Sequence, residues 1–316
     1  MNILVTGANG FVGQALCKRM LVDGYQVRGA VRAVTQMTAL PSGVEGAMVG
    51  DISPETDWSE ALDGIDAVVH LAARVHVMDD TAADPLAAFR EVNVLGTERL
   101  ARMAAKYGVR RLIFISSIGV NGEFSSEMPF SEKNLPNPHN AYAVSKWEAE
   151  QVLHVVSKNS GMEVVILRPP LVYGPDAPGN FARLMRVIKT GLPLPFGNIK
   201  SLRSFVYIDN LIDAIITCVT HPLAAGETFM VSDGQDVSTP DLIKMIASAM
   251  NKKVILFSLH PGILKSLCKI AGKGEEMEKL TGSLLVDSSK IRNLLGWKPP
   301  FTLEEGIKET VKYYES

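Results

Sequence analysis

Tyr142 and Lys146 stand four residues apart in Ala141-Tyr-Ala-Val-Ser-Lys146, so on a helix they share one face. Such a pair can move a proton. A phenol with its ordinary pKa of about 10 is a poor base at neutral pH. An ammonium about 4 Å away, at an effective dielectric near 20, favours the phenolate by roughly 4 kcal/mol. At about 1.36 kcal/mol per pKa unit, that suffices to bring the phenol towards 7, before burial opposes it. Upstream, Ser116-Ser117 closes the apolar run that begins at Arg111. Read as a strand, this run puts the serines at the carboxyl edge of a sheet, where open α/β sheets place their ligands.

A second group of residues can hold a phosphate. Ile3, Leu4 and Val5 read as a strand buried on both faces, and Gly7, Gly10 and Gly13 follow at equal spacing. Val12, Ala15, Leu16, Arg19 and Met20 then keep helical spacing, and Gly24 stops the helix. The glycines therefore lie on a strand-to-helix turn. A tight turn uses positive φ, and phosphates bind backbone N–H groups at a helix N-terminus if no side chain intervenes. Tyr25 to Val31 reads as the next strand.

Thr6-Gly-x-x-Gly-x-x-Gly13, followed far downstream by Tyr142-x-x-x-Lys146, resembles the extended short-chain dehydrogenase/reductase family. Its members include sugar-nucleotide epimerases, dehydratases and reductases. The resemblance implies a parallel doubly wound sheet (a Rossmann fold) with a smaller C-terminal α/β substrate domain, and it covers essentially the whole chain. It makes Ser117, Tyr142 and Lys146 the catalytic set: Tyr142 moves the alcohol proton, Ser117 fixes the substrate oxygen and Lys146 also holds the nicotinamide ribose.

The same resemblance distributes the cofactor contacts. The glycine turn brings Gly7, Gly10, Phe11, Val12 and Gly13 to the phosphates. The second strand ends at Val31-Arg32 without the acidic residue that would accept from an NAD ribose. A guanidinium suits a phosphate dianion, so NADP(H) is the preferred cofactor and NAD(H) a possible one, with Arg32 as the phosphate ligand. Asp51-Ile52 follows the third strand, Val44 to Val49, and matches the family's adenine contact. Leu71-Ala72-Ala73 follows the fourth strand, Ala67 to His70, and lets the backbone approach the cofactor's middle. Arg74 and His76 lie beyond, near the substrate's path. Pro85 to Tyr107 reads as one amphipathic helix with Phe89, Val92, Leu95, Leu100 and Met103 on its buried side. Within it, Asn93 reads as a structural residue that belongs with the cofactor-side set. Gly96, costly in a helix by about 1 kcal/mol, implies close packing.

Ile118-Gly119 stands where 4,6-dehydratases carry an Asp-Glu pair, which argues against water elimination. The proline-bearing loop from Glu123 to His139 is expected to fold over the site. In the second half, Arg168-Pro-Pro-Leu171-Val-Tyr-Gly-Pro175 is similar to the family's turn into the substrate domain, with Leu171 in place of an asparagine. Asn180 at a helix start, Phe196 in Leu-Pro-Phe-Gly, and Arg203 are the residues the resemblance assigns to a UDP-sugar. Asp209 is expected to cap the next helix, and Thr239-Pro240 to open another. Residues 261–272 form an amphipathic stretch suited to domain packing.

The boundaries expected are 1–168 for the dinucleotide domain and 169–316 for the substrate domain, with about 203–222 packing back on the first. Charge is −2 over 316 residues, which leaves no electrostatic case for nucleic acid or an anionic membrane. No apolar run reaches a membrane span of about eighteen residues. Cys17, Cys218 and Cys268 have no metal spacing and suit a reducing compartment, and no metal is expected. The strand at the N-terminus leaves no signal peptide, so a soluble cytoplasmic protein is expected. In relatives, helices matching 86–107 and 141–158 form a four-helix homodimer interface.

Leu71 to Met78, Arg168 to Pro175 and Val231-Ser-Asp-Gly234 look like bacterial reductases acting on the C4 keto group of a UDP-4-keto-6-deoxy-N-acetylhexosamine. A UDP-hexose 4-epimerase with tightly bound NAD uses the same residues and is the alternative enzyme. A scaffold that has lost catalysis is a third class, disfavoured by the intact Ser117, Tyr142 and Lys146.

Overall fold

The computed structural model of the chain describes residues 1–75, 84–126, 128–177, 179–259, 262 and 281–315. The amphipathic stretch at 261–272, with Cys268, and His76 lie outside these residues, apart from the backbone position of Gly262.

The short apolar runs become strands β1 (Asn2–Thr6), β2 (Gln26–Val31), β3 (Glu45–Met48), β4 (Ala67–His70), β5 (Arg111–Ile115) and β6 (Glu163–Arg168). Later in the chain come β7 (Leu171–Tyr173), β8 (Leu202–Arg203), β9 (Phe205–Tyr207), β10 (Thr228–Met230) and β11 (Val237–Ser238). Seven of them form one parallel sheet in the order β10-β6-β5-β4-β1-β2-β3. The order reverses beside β1: β2 and β3 lie to one side, β4 to the other. That reversal opens the crevice in which such sheets bind their ligands.

Helix α1 (Phe11–Val22) links β1 to β2 and ends at Asp23, with Gly24 at φ 84 beyond it. The short α2 (Ser59–Leu62) precedes β4. Strand periodicity sorts the core onto two faces. Ile3, Val5, Val69, Ile113 and Val165 pack with Leu16 and Met20 on one side. Leu4, Val68, Leu112 and Ile166 pack with Trp58, Leu100 and Leu153 on the other.

The stretch expected to be one helix from Pro85 is three pieces. It runs as α3 (Pro85–Arg90), a π-helical turn over Glu91–Gly96, and α4 (Thr97–Lys106). A π turn adds a residue and rotates everything after it. Leu95 therefore leaves the buried side and is 44% exposed, while Val94 takes the inner position at 8%. Gly96 does mark a close approach: a Cβ there would lie 2.5 Å from Ile52 Cγ2.

Helix α5 (Ala141–Ser160) starts at Asn140, whose side chain accepts from Ala143 N at 2.9 Å, and ends at Gly161 in the left-handed region. Beyond β6, β7 pairs with β9 and β8 with β11. Helices α6 (Asn180–Lys189) and α8 (Thr239–Ala249) pack in this region, α8 capped by Ser238. Helix α7 (Ile208–Thr220) returns to α1, and β10 joins the main sheet. The N-cap of α7 is Tyr207; Asp209 sits in the first turn instead and favours the helix through its dipole rather than as a cap. Helices α9 (Ser289–Leu295) and α10 (Leu303–Glu315) finish the chain. Among the described residues, no helix is long and apolar enough to cross a membrane.

Candidate active site

The glycine turn divides its labour. Gly7 has φ 67, and a Cβ on it would press within 3.0 Å of Ala72 N. Gly13 has ordinary helical geometry, yet a Cβ there would overlap the Gly7 carbonyl oxygen. Gly10 is the N-cap of α1 at φ −82, with no side-chain cap. The expectation that positive φ explains the glycines therefore holds for Gly7, whereas Gly13 serves close packing. Gly10, Phe11 and Val12 open α1 with no side-chain cap, and a Cβ on Gly10 would approach the Gly7 carbonyl oxygen at 3.2 Å. A dinucleotide's phosphates fit this cradle.

The loop Leu71-Ala72-Ala73 is held against it. Ala72 N donates to Thr6 Oγ1 at 3.1 Å. Thr6 Oγ1 also lies 2.7 Å from His70 Nδ1, and Thr97 Oγ1 lies 2.9 Å from His70 Nε2. Burial, with Lys146 adding to it, pushes the His70 pKa down to about 3, so the ring is neutral. Asn93 is buried and wholly engaged. Its Oδ1 accepts from Arg74 N at 2.8 Å, and its Nδ2 donates to Arg74 O and Ser145 Oγ, both at 3.0 Å. It ties the loop to α5.

Arg32 and Asp51, expected as separate cofactor contacts, are in direct contact with each other. Arg32 Nε pairs with Asp51 Oδ1 at 2.7 Å, both side chains being well exposed. Ile52 packs beneath, against the π turn.

Ser117 follows β5, and its Oγ accepts from Gly119 N at 3.1 Å, capping a short turn over Ile118–Val120. Tyr142 and Lys146 lie in the first two turns of α5. The Tyr142 ring meets Phe89 edge-on at 6.2 Å between centroids, and the Arg74 guanidinium lies 5.4 Å from the centre of the same Phe89 ring. Lys146 is 1% exposed, its Nζ 4.1 Å from the centre of the Phe114 ring. Here the electrostatics depart from expectation. Burial pushes Tyr142 up to about 12 rather than towards 7. Burial also draws Lys146 down to about 7, against a favourable pull from Glu150. Desolvation is the largest cause for both groups, because both charged forms sit away from water.

The residues expected to meet a substrate lie later in the chain. Arg203 is half-buried in β8 and its Nη1 donates to Gly282 O at 3.1 Å. Burial lowers its pKa and Glu123 opposes that. Asn180 opens α6 behind Gly179 at φ 90. Phe196 is half-buried and bridges to Ser258. The loop after Ser117 is laced to the C-terminal part, with Ser125 N bonding Ser283 O and Phe130 N bonding Leu285 O, both at 2.8 Å. Glu132 accepts from Met230 N at 2.7 Å. Sequence reasoning missed the buried Glu150–Arg168 pair behind these groups. Its one signal was a carboxylate four residues after Lys146, on the same helical face.

The model of the NAD dependent epimerase/dehydratase family matches residues 3–232. The chain belongs to that family. It is 46% identical to a UDP-glucose 4-epimerase of Vibrio cholerae, over 99% of this chain and 95% of that protein. Its fold matches a UDP-glucose 4-epimerase of Thermotoga maritima solved with UDP-glucose, at TM-score 0.79 and 25% identity over 100% and 99% of the chains. It also matches a UDP-glucuronic acid 4-epimerase of Bacillus cereus solved with UDP-glucuronic acid and NAD, at TM-score 0.79 and 29% identity over 100% and 99%. The protein is thus a member of an enzyme family acting on sugar nucleotides, with the Rossmann sheet expected from its sequence.

Proposed function

We propose that this protein is a UDP-hexose 4-epimerase working with NAD. The observation that carries the reading is its 46% identity, nearly end to end, with the Vibrio cholerae UDP-glucose 4-epimerase. The order is thereby reversed from the sequence reading, which put a 4-keto reductase first and the epimerase second.

Bound NAD would supply the hydride acceptor and donor, and its oxidised ring a positive charge that favours the phenolate. Tyr142 Oη takes the proton of the sugar's C4 hydroxyl as the C4 hydrogen leaves with its electron pair, giving a 4-keto sugar. The keto oxygen stays within reach of Ser117 Oγ, which donates to it as charge returns. After the sugar presents its other face, Tyr142 gives the proton back. No net oxidation occurs, so the cofactor need not exchange. Lys146 acts as the cation beside the phenol. Arg203, with Asn180 and Phe196 around the nucleotide, would hold the UDP moiety, a guanidinium gripping the diphosphate by paired hydrogen bonds.

The geometry around Arg32 favours NAD over NADP. A 2′-phosphate at Arg32 would share the site with the Asp51 carboxylate, 2.7 Å from the guanidinium. The reductase reading, with NADP(H) preferred, leaned on Arg32 being available. Purified protein separates the two. An epimerase carries cofactor through purification and converts UDP-galactose to UDP-glucose with no net change in absorbance of reduced cofactor. Stoichiometric NADPH consumption with a UDP-4-keto sugar, without epimerisation, would overturn the reading.

A further inference from the structure

Beneath the candidate site lies a buried charge cluster that the proton transfer above does not use. Glu150 follows Lys146 by one turn of α5 and is 0% exposed. Its Oε1 accepts from Ser116 Oγ at 2.5 Å and from Arg168 Nε at 2.9 Å, and its Oε2 pairs with Arg168 Nη2. The remaining Arg168 amine, Nη1, donates to Asn121 Oδ1 at 2.9 Å. One carboxylate thus joins the end of β5, the end of β6 and α5, while Arg168 reaches the loop that follows Ser117.

Each tie touches a neighbour of the reacting groups. Ser116 precedes Ser117, so fixing its side chain fixes the backbone that presents the Ser117 hydroxyl. Lys146 and Tyr142 lie one and two turns before Glu150 on the same helix. Among the described residues, the surroundings of Lys146 Nζ are otherwise poor in negative charge. The Phe114 ring of β5 lies against it, and His70 of β4 stacks on that ring and is neutral. Tyr142 is a neutral phenol, and the Arg168 cation lies beyond Glu150. A buried ammonium with no anion near it loses its proton.

We propose that Glu150 is a positioning residue for the proton-transfer pair: its clamped carboxylate keeps the buried Lys146 ammonium charged and ties the Ser117 backbone to the helix carrying Tyr142. This rests on the reading of Tyr142 and Lys146 as the reacting pair. A purely structural Glu150–Arg168 pair would contribute to stability and leave the ionisation of Lys146 alone. The direction of the Glu150 effect is upward, against the downward effect of burial.

The readout is the pH dependence of kcat in Glu150→Gln and Glu150→Asp. Without the carboxylate charge, Lys146 gives up its proton at lower pH, so the alkaline limb should move down by about one pH unit or more, a tenfold change in the ionisation constant. Glu150→Asp keeps the charge and should restore the limb while lowering kcat. A folded Glu150→Gln enzyme with the wild-type limb overturns the proposal. Because an unpaired buried Arg168 threatens folding of that variant, the wild type is read as well. Lysine labelled with 13C at Cε, assigned by comparison with Lys146→Met, should show Lys146 as an ammonium at about pH 6 that titrates only near or above neutrality. A Lys146 already neutral there overturns the proposal whatever the variants do. Turnover retained by Tyr142→Phe would sink the catalytic reading instead, and the NMR titration reports on Lys146 independently of turnover.

Discussion

Tyr142→Phe removes one hydroxyl and keeps the ring that packs on Phe89, at 6.2 Å between centroids. The fold and the glycine cradle should be untouched, while general acid–base catalysis contributes about 10²–10⁴-fold. The expected outcome is a kcat lower by that factor with NAD still bound, measured by epimerisation rate and cofactor content; an active variant would end the assignment. Asp51→Asn tests the other end of the crevice. The Arg32–Asp51 pair is exposed and worth at most about 1 kcal/mol, so its loss should leave stability unchanged. Removing the carboxylate should instead improve NADP relative to NAD, and Arg32→Ala should abolish that gain. Unaltered relative Kd values would refute the argument. That Tyr142 and Lys146 share one face was legible in their spacing, whereas their assignment as a reacting pair came from the family resemblance. Their ionisation was not legible. It depends on how much water the fold removes, and that is decided by Phe89, Phe114 and His70, which arrive from other elements. The Arg32–Asp51 contact was likewise hidden, joining the ends of two adjacent strands.

At the scale of elements, the glycine turn and β4 lend themselves to variants that separate folding from binding. A Cβ at Gly13 would overlap backbone, so Gly13→Ala must move α1 or β1 and should cost about 1–3 kcal/mol of stability by overpacking. A Cβ at Gly10 has an ordinary φ and approaches the Gly7 carbonyl oxygen at 3.2 Å. Gly10→Ala should therefore fold with nearly wild-type Tm yet bind NAD at least tenfold more weakly; wild-type NAD affinity would show that the phosphates do not pass there. His70 pins β4 to β1 and α4 through Thr6 and Thr97. Its folded pKa of about 3 lies below the ordinary 6.5, so the unfolded chain binds the extra proton. The stability it supports is present above about 6.5 and is lost as pH falls towards 3, by about 1.4 kcal/mol per pH unit from this group. Urea unfolding at several pH values should show this slope flattened in His70→Asn; an equal slope would assign the acid sensitivity elsewhere. The strands were legible because parallel strands buried on both faces read as apolar runs. The π turn was not, since an inserted residue leaves no mark on local periodicity and is seen only when Leu95 and Val94 exchange places.

For the whole molecule, the helices on one face of the sheet bear on its assembly. The π turn and α5 pack on one another through Asn93 and Ser145, which turns their far sides outward. There Leu95 is 44% and Val155 52% exposed. The sequence expectation of a homodimer through these helices remains a proposal, and these two side chains are the apolar groups it would cover. Arg90 pairs with Glu148 between α3 and α5 at 2.5 Å, fixing the two helices in a common surface. If the protein pairs through this face, light scattering should give twice the chain mass of 34.3 kDa. Leu95→Lys with Val155→Lys should then return the monomer, because two ammonium groups buried in a symmetric interface would meet their own copies across it. Both positions are solvent-exposed in the single chain, so the doubly substituted protein should keep its circular dichroism and its glycine cradle. A wild-type mass of one chain, or a dimer indifferent to both lysines, would move the interface elsewhere.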